Sequence, residues 1–392
     1  PPPFSHSCPP PQHGVALLTM ATRPWVSRRR IAVYALLALQ VTWVTCFLQG
    51  LRTTGRSLGI CLRQASQDAQ LVSYNFDALS VPDSQRQRTI SSLARQLGVA
   101  EKLQVSSESL DKYFEVCLNS MPSNPYHGPA HVLDVLQFLN TLLHETNLDM
   151  VLSPTQSSGL VLAAAAHDVD HTGTSNALLA KVGHEYVEDS EEGVGPMESH
   201  SAQRAMELIQ EILNSRDSSL LLVVRKSIHG TDLSQHDKIT KAFSQLTKAA
   251  DASELHRFFE PGTEESLLLV QMLLKAADVS NPTRPIRTAR AWNSYVYEEF
   301  YAEGDQVLST GGMPNPLHDR RTNCIPKSSV GFINFHVKSI FLGLKDFLLR
   351  CREVGIEVRP EGVETVLARL DENAAAFAEE AENLEAMKSM QA

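Results

Sequence analysis

The amino-acid sequence predicts an all-α, compact multi-helix fold for most of its 392 residues. Beyond about residue 75, apolar residues recur at spacings of three and four, which is the period of helices that bury one face. Alternating runs of β-branched residues are scarce, and Pro and Gly fall between the helical patterns. With 43% hydrophobic residues, the chain can bury one large core or two modest ones.

The amino-terminal part differs in composition from the rest. Residues 1–30 form a Pro/Arg-rich segment, residues 31–51 are predominantly apolar, and residues 52–73 have the character of a linker to a domain at 74–392. The apolar run is long enough to cross a bilayer, and no Asp or Glu precedes Asp68. We expect membrane association through an anchor at 31–51, with the C-terminal domain facing the cytosol. An Arg-rich organellar targeting presequence is the alternative.

The first group of candidate functional residues follows a loop. Pro129 predicts the start of a helix, because proline suits the first helical turn and disfavours helical geometry at the residue before it. His131 should therefore project from the first turn. His127 should lie on the preceding loop, free to reach a substrate.

The run HDVDH at 167–171 carries the clearest chemical signal in the chain. His167 and Asp168 offer an imidazole nitrogen and a carboxylate oxygen from neighbouring residues. His171, at i+4, is expected one helical turn away on nearly the same face. Zinc favours such nitrogen and oxygen ligands, and a carboxylate can bridge to a second, harder ion.

Two later segments supply matching carboxylates. Glu198 opens a helix, and Asp278 ends an apolar helix just before Asn281 and a chain-breaking Pro282. Together with the histidines, these groups at different helix ends predict a dinuclear metal centre. The last segment, 361–390, is rich in Ala, Glu and Leu and predicts a packing helix.

Composition excludes some other kinds of site. The 6 cysteines include no Cys-x-x-Cys pair, so neither a thiolate zinc site nor a dense disulfide framework is expected. The formal net charge of −10 argues against nucleic-acid polymers as partners, whereas a small anionic ligand needs only local cations. The pattern predicts no particular oligomeric state.

Taken in this order, the motifs resemble those of the class I 3′,5′-cyclic nucleotide phosphodiesterase catalytic domain, a branch of the HD-type metal phosphohydrolases. The resemblance covers residues 74–391. It rests on NPYH at 124–127, HDVDH at 167–171, TDLSQH at 231–236, ADVSNPT at 277–283, EEF at 298–300 and VGF at 330–332. It implies a compact helical catalytic domain at 74–392 that hydrolyses cyclic AMP and/or cyclic GMP to the 5′-monophosphate in cyclic nucleotide signalling.

The resemblance also implies a role for each motif residue. Four residues resemble the ligands of a tightly held Zn²⁺: His131, His167, Asp168 and Asp278. Asp168 would bridge to Mg²⁺ or Mn²⁺, whose waters are held by His171 and Glu198, and two such cations activate a shared water. His127 resembles the general acid that protonates the leaving 3′ oxygen. The substrate-binding residues implied are Tyr126, Asn281, Val296, Ser329 and Phe332, with Val296 and Phe332 clamping the purine.

Two positions depart from the family pattern. Gly128 replaces the usual Asn after the first histidine, which changes the loop. Ser329 stands where the family has a glutamine whose amide binds the purine edge, and a serine is too short for that bidentate contact. The preference between cyclic AMP and cyclic GMP is therefore open. Two alternatives also stay open: a phosphohydrolase for another phosphoester, and a membrane-tethered regulator with little or no activity.

Overall fold

Helices account for all the regular structure in the part of the chain that the computed structural model describes, residues 71–391. The prediction of an all-α fold is confirmed, since this range contains no strand. The range lies in one compact unit, Ser66–Ala392. The membrane or targeting helix predicted at 31–51 lies outside the described residues. Within 71–391, none of the helices has the combination of length and hydrophobicity that a transmembrane span requires.

The α-helices of this range are numbered here in chain order. The first eight are α1 (Asp83–Gln96), α2 (Val99–Leu103), α3 (Ser107–Asn119), α4 (Pro129–Glu145), α5 (Pro154–Ala166), α6 (Asn176–Val182), α7 (Pro196–Ile212) and α8 (Ser218–His229). The others are α9 (His236–Ala249), α10 (Ala252–Arg257), α11 (Glu264–Asp278), α12 (Ile286–Ser309), α13 (Ile325–Phe332), α14 (Lys338–Glu353) and α15 (Glu361–Gln391). A short π-helix, Ile333–Val337, joins α13 to α14.

Four helices, α4, α5, α8 and α11, pack against one another at the centre of the domain. Helix α5 is apolar on nearly every side and buried throughout most of its length, as expected of a core helix. A capping box between Ser153 and Gln156, with Pro154 as the first helical residue, defines its start. At Gly159 an added Cβ would lie 2.5 Å from Val223 Cγ1 on α8, so a side chain there would force Val223 or its helix to shift.

A buried ion pair ties α4 to the segment that follows α11. The Arg284 Nη2 atom lies 2.9 Å from Asp134 Oδ1, and neither side chain is exposed to solvent. Asn281 donates a hydrogen bond from Nδ2 to Asp134 Oδ2 at 2.9 Å. On α15, Asn373 donates from Nδ2 to the carbonyl oxygens of Pro282, at 2.7 Å, and Arg284. The C-terminal helix therefore packs on this segment, which confirms its prediction as a packing helix.

The predicted helix ends are mostly correct, with one exception. Helices α4, α7 and α11 begin or end where Pro129, Glu198 and Asp278 predict. The helical geometry expected through 167–171 is wrong, because α5 ends at Ala166 and the HDVDH run forms a turn. Asp170 has φ of 61°, a left-handed conformation that aspartate tolerates better than most residues, and the turn is closed by a 3.1 Å hydrogen bond from His171 N–H to the Asp168 carbonyl.

Candidate active site

Four side chains from three helix ends meet in one cluster. The His131 Nε2 atom lies 3.0 Å from Asp278 Oδ1 and 3.3 Å from His167 Nε2. Asp168 Oδ2 lies 3.2 Å from His167 Nε2 and 3.5 Å from His131 Nε2. The distance from His167 Nε2 to Asp278 Oδ1 is 3.4 Å. The structure thus brings together all four residues that the sequence nominates as zinc ligands.

Local structure explains why these atoms converge. Gly128 is extended, with φ of −162°, and Pro129 opens α4, so His131 leaves the first turn of a buried helix. His167 caps the end of α5, where its Nδ1–H donates to the Ala164 carbonyl at 2.9 Å. That bond leaves Nε2 to face the cluster, which is the usual arrangement of a metal-binding histidine. Asp278 is the last residue of α11.

The cluster fits a divalent metal ion. A tetrahedral zinc with bonds of about 2.0–2.1 Å keeps its ligand atoms about 3.3 Å apart. The five separations given above lie between 3.0 and 3.5 Å. Asp168 Oδ2 is buried and makes no well-oriented hydrogen bond within residues 71–391. A buried carboxylate oxygen without such a partner is costly unless a cation satisfies it.

The two carboxylates are held in the ionised form that metal binding requires. Burial alone would raise the pKa of Asp278, but hydrogen bonds from His131 and His167 outweigh burial and hold the pKa well below its usual range. Burial likewise acts to raise the pKa of Asp168, and the adjacent His167 overcomes it. Both groups therefore carry negative charge at neutral pH and can accept a cation.

His127 lies beside the cluster and is hydrogen-bonded to Glu299 of α12. The His127 Nδ1 atom lies 2.6 Å from Glu299 Oε2, while Glu299 Oε1 accepts the backbone N–H groups of Tyr126, at 2.6 Å, and His127, at 2.8 Å. Burial acts to lower the pKa of His127, but the hydrogen bond to Glu299 outweighs it, and the pKa is raised. The arrangement favours a protonated imidazole whose Nε2–H is free to serve as an acid.

His171 and Glu198 lie near this group but do not form a hydrogen bond to each other within the described residues. The His171 ring stacks on His127, with centroids 3.7 Å apart, and its Nδ1 accepts the Gly173 N–H at 3.0 Å. Burial, followed by the positive charge of His127, lowers the pKa of His171 to about 3, so His171 is neutral and carries its proton on Nε2. Glu198 accepts from Asn176 Nδ2 at 2.8 Å, and burial raises its pKa to about 7.

A cavity of about 480 Å³ opens next to the cluster. All five residues predicted to bind substrate line it: Tyr126, Asn281, Val296, Ser329 and Phe332. Tyr126 donates from its hydroxyl to Asn281 Oδ1 at 2.6 Å. The lining also includes Asp278 and His127. A carboxylate and an imidazole therefore face the same cavity as an apolar wall that contains Val296 and Phe332.

Glu299 has a role that the sequence motifs do not predict, although it lies in the EEF segment at 298–300. Glu299 is buried, and it shares one face of α12 with the buried Trp292, seven residues earlier, and the buried Glu303, four residues later. Buried carboxylates on the apolar stripe of a helix are rare unless they have partners. The carboxylate on the apolar face of α12 is therefore a signal in the sequence that Glu299 has a partner. It does not identify that partner, because His127 is 172 residues away in the chain.

Three features of this site suit the cleavage of a phosphoester. The ligand cluster can hold a cation against an anionic substrate, and the apolar wall can receive a planar group. His127, whose raised pKa favours the protonated form, can donate to a leaving oxygen.

Comparisons with known proteins agree with that chemistry. The family model described as 3′5′-cyclic nucleotide phosphodiesterase matches residues 126–357. The chain is 28% identical over 227 residues to 3′,5′-cyclic-AMP phosphodiesterase, isoform F, of Drosophila melanogaster, a match that covers 56% of this chain and 34% of the relative. It is 28% identical over 268 residues to the human high affinity cAMP-specific and IBMX-insensitive 3′,5′-cyclic phosphodiesterase 8A, covering 62% of this chain and 32% of the relative. The chain thus spans about a third of the length of these curated relatives.

Solved structures show the same fold. The phosphodiesterase domain of Salpingoeca rosetta rhodopsin phosphodiesterase superposes with a TM-score of 0.69 at 21% identity, covering 82% of this chain and 95% of that domain. The structure of LmjPDEB1 in complex with IBMX gives a TM-score of 0.69 at 24% identity and covers 80% of this chain and 93% of that structure.

Proposed function

The chain belongs to the 3′5′-cyclic nucleotide phosphodiesterase family, and on that premise we propose that it hydrolyses a 3′,5′-cyclic nucleotide to the 5′-nucleoside monophosphate. One observation supports the proposal: Asp278 of the ligand cluster, the general-acid candidate His127 and the apolar residues Val296 and Phe332 line one cavity of about 480 Å³. A cyclic nucleotide needs each of these, because it presents an anionic phosphodiester next to a planar base.

We propose Zn²⁺ at the cluster of His131, His167, Asp168 and Asp278, and Mg²⁺ or Mn²⁺ beside it. Asp168 would be shared, since its carboxylate also lies within reach of the ring nitrogens of His127 and His171. When bound, the cations make water acidic enough to act as a nucleophile at neutral pH and offset the charge on the phosphoryl oxygens. His171, neutral with Nε2–H available, and Glu198 would hydrogen-bond waters of the second ion.

The protein's own residues handle the leaving group. The oxygen of a water that has released one proton to solvent forms the new bond to phosphorus, the bond from phosphorus to O3′ breaks, and O3′ leaves with the electron pair. His127 donates its Nε2 proton to that oxygen and then takes up another from solvent. Glu299 keeps His127 protonated and oriented through Nδ1. Proton transfer by a positioned imidazole contributes about 10²–10⁴-fold to such a reaction.

The substrate is positioned by two kinds of contact. We propose that the base lies between Phe332 and Val296, which both line the cavity. Tyr126 and Asn281 would lie near the phosphate and base, and the hydrogen bond from Asn281 to the buried Asp134 fixes the position of the Asn281 amide. A fixed wall of this kind lowers the entropy cost of orienting the substrate.

The test is turnover by the full chain with added Zn²⁺ and Mg²⁺, measured on cyclic AMP, cyclic GMP and bis(4-nitrophenyl) phosphate. Release of a 5′-monophosphate from either cyclic nucleotide supports the proposal. Hydrolysis of the aryl diester alone would mean that the site acts on another phosphoester. No hydrolysis of any of the three by protein that retains its metals would favour a non-catalytic regulator.

The amino-terminal part carries a separate proposal about location. We propose that residues 31–51 anchor the chain in a membrane with the helical domain in the cytosol, supported by the apolar run and its arginine-rich flanks. Resistance of the full chain to alkaline extraction from membranes, with the domain open to added protease, would support the anchor. Release of the chain from membranes by alkaline extraction, together with cleavage of its amino-terminal segment inside an organelle, would support the targeting presequence.

A further inference from the structure

Two polar side chains on the cavity wall form a pair that the proposed reaction does not use. Asn293 on α12 and Ser329 on α13 both line the cavity, and Asn293 Nδ2 lies 2.7 Å from Ser329 Oγ. Asn293 is three residues before Val296, so the two share a face of α12. The Asn293 amide therefore lies beside a residue that is proposed to contact the base.

The hydrogen bonds of Ser329 determine which way the Asn293 amide faces. Ser329 Oγ donates its single proton to the Ile325 carbonyl at 2.8 Å. Toward Asn293 the hydroxyl can then only accept, so the amide must present its NH₂ group to Ser329. The carbonyl oxygen Oδ1 is turned away from Ser329, and no hydrogen bond within residues 71–391 uses it. The serine thus holds the amide in one of its two orientations.

We propose that Asn293, held in this orientation by Ser329, binds the edge of the base and selects adenine over guanine. The inference rests on the proposed function and specifies its substrate. Adenine carries an amino group at position 6, which donates to Oδ1. Guanine carries a carbonyl oxygen at the same position, which would face Oδ1 as acceptor against acceptor. An amide free to rotate could serve either purine, whereas an amide held by Ser329 serves one.

The proposal also gives Ser329 a role that its length allows. A serine cannot reach the base as the family's glutamine would. It can instead orient a neighbouring amide from α12. The amide that contacts the purine would then come from Asn293 on α12, and not from the position of Ser329 on α13 where the family has its glutamine. The base preference would depend on both Asn293 and Ser329.

The experiment measures dissociation constants of AMP and GMP, the expected products, for the full chain loaded with Zn²⁺ and Mg²⁺. We expect the unmodified protein to bind AMP roughly 10-fold more tightly than GMP, within the range for one well-placed amide contact to a base. Asn293→Leu, which keeps the branched shape and the number of heavy atoms of the side chain, should bring the ratio close to one by weakening AMP binding. Ser329→Ala should also bring it close to one, chiefly by improving GMP, because the amide can then rotate. Ser294→Ala is the matched control, since Ser294 is exposed on the same helix and its hydroxyl donates to the Arg290 carbonyl.

The outcomes separate this inference from the proposed reaction. A ratio that stays unchanged in both Asn293→Leu and Ser329→Ala, or equal or tighter binding of GMP by the unmodified protein, overturns the inference even if cyclic nucleotides are hydrolysed. If the unmodified protein hydrolyses neither cyclic nucleotide, the proposed function fails, and the AMP-to-GMP ratio still decides the role of Asn293. Zinc content and thermal unfolding identify any variant that does not fold, and the ratio in the variant that does fold then decides alone.

Discussion

Glu299→Gln tests whether Glu299 keeps His127 in its acid form. Glu299 Oε1 accepts two backbone N–H groups, and the single carbonyl oxygen of a glutamine can keep those bonds. Its NH₂ group then faces His127 Nδ1, which lies 2.6 Å from the carboxylate in the unmodified protein. A protonated Nδ1 cannot accept from that group, so only neutral imidazole fits. The substitution should therefore lower the pKa of His127.

The size and sign of the effect follow from the contact. A hydrogen bond that involves a charged partner contributes about 1.5–3 kcal/mol, and one pKa unit corresponds to about 1.36 kcal/mol. The pKa of His127 should thus fall by roughly 1–2 units. A general acid works only while protonated, so its activity is present below its pKa and is lost as the pH rises through it. The high-pH limb of the rate profile should shift downward by the same roughly 1–2 units.

The assay is kcat/KM for cyclic nucleotide hydrolysis between about pH 5.5 and 10. Glu298→Gln, at the exposed neighbouring position, is the control and should leave the limb in place. Adding Glu299→Gln to His127→Ala should cost little more than His127→Ala alone, because the two residues act as a unit. An unshifted limb in Glu299→Gln, or an equal shift in Glu298→Gln, would refute the reasoning.

Three further predictions, each made with one or two substitutions, test other parts of the structure. His127→Ala should lose most turnover and keep bound zinc, whereas Asp278→Ala should lose both; equal zinc loss, measured by atomic absorption, would contradict the division between acid and ligand. Gly159→Ala should destabilise the fold by about 1–3 kcal/mol, because its Cβ would meet Val223 Cγ1 at 2.5 Å. Adding Val223→Ala should then cost less than the sum of the single changes, and strict additivity in urea unfolding would rule out that contact. Asp134→Ala should cost about 3–5 kcal/mol, since it leaves a buried arginine without its counter-charge; an unchanged urea midpoint would count against this.

The fold and the ligand cluster could be predicted from local signals. Helical periodicity gave the all-α class, and Pro129 located His131 in a first turn. The HDVDH run identified His167 and Asp168 by residue type alone, and their ligand character does not depend on the backbone between them. This is why the four predicted side chains lie together in the structure although the helix expected through 167–171 was wrong.

The remaining features depend on contacts that are distant in the chain. Glu299 acquires its role from His127, which is 172 residues away, and no local pattern encodes that pairing. Asn293 and Ser329 are 36 residues apart and meet only because α12 and α13 pack together. The left-handed turn at Asp170 is also hard to predict, since aspartate adopts it only where the surroundings favour it.

The spacing of the ligands along the chain has a consequence for how the protein matures. His131 and Asp278 lie 147 residues apart in the chain, but His131 Nε2 and Asp278 Oδ1 are 3.0 Å apart in the fold. Closing so long a loop costs conformational entropy and comes late in folding. A chain still being synthesised has His131 and His167 long before Asp278 is available. Metal loading should accordingly follow folding, and the bound ion should act as a cross-link whose binding free energy adds to the stability of the finished domain.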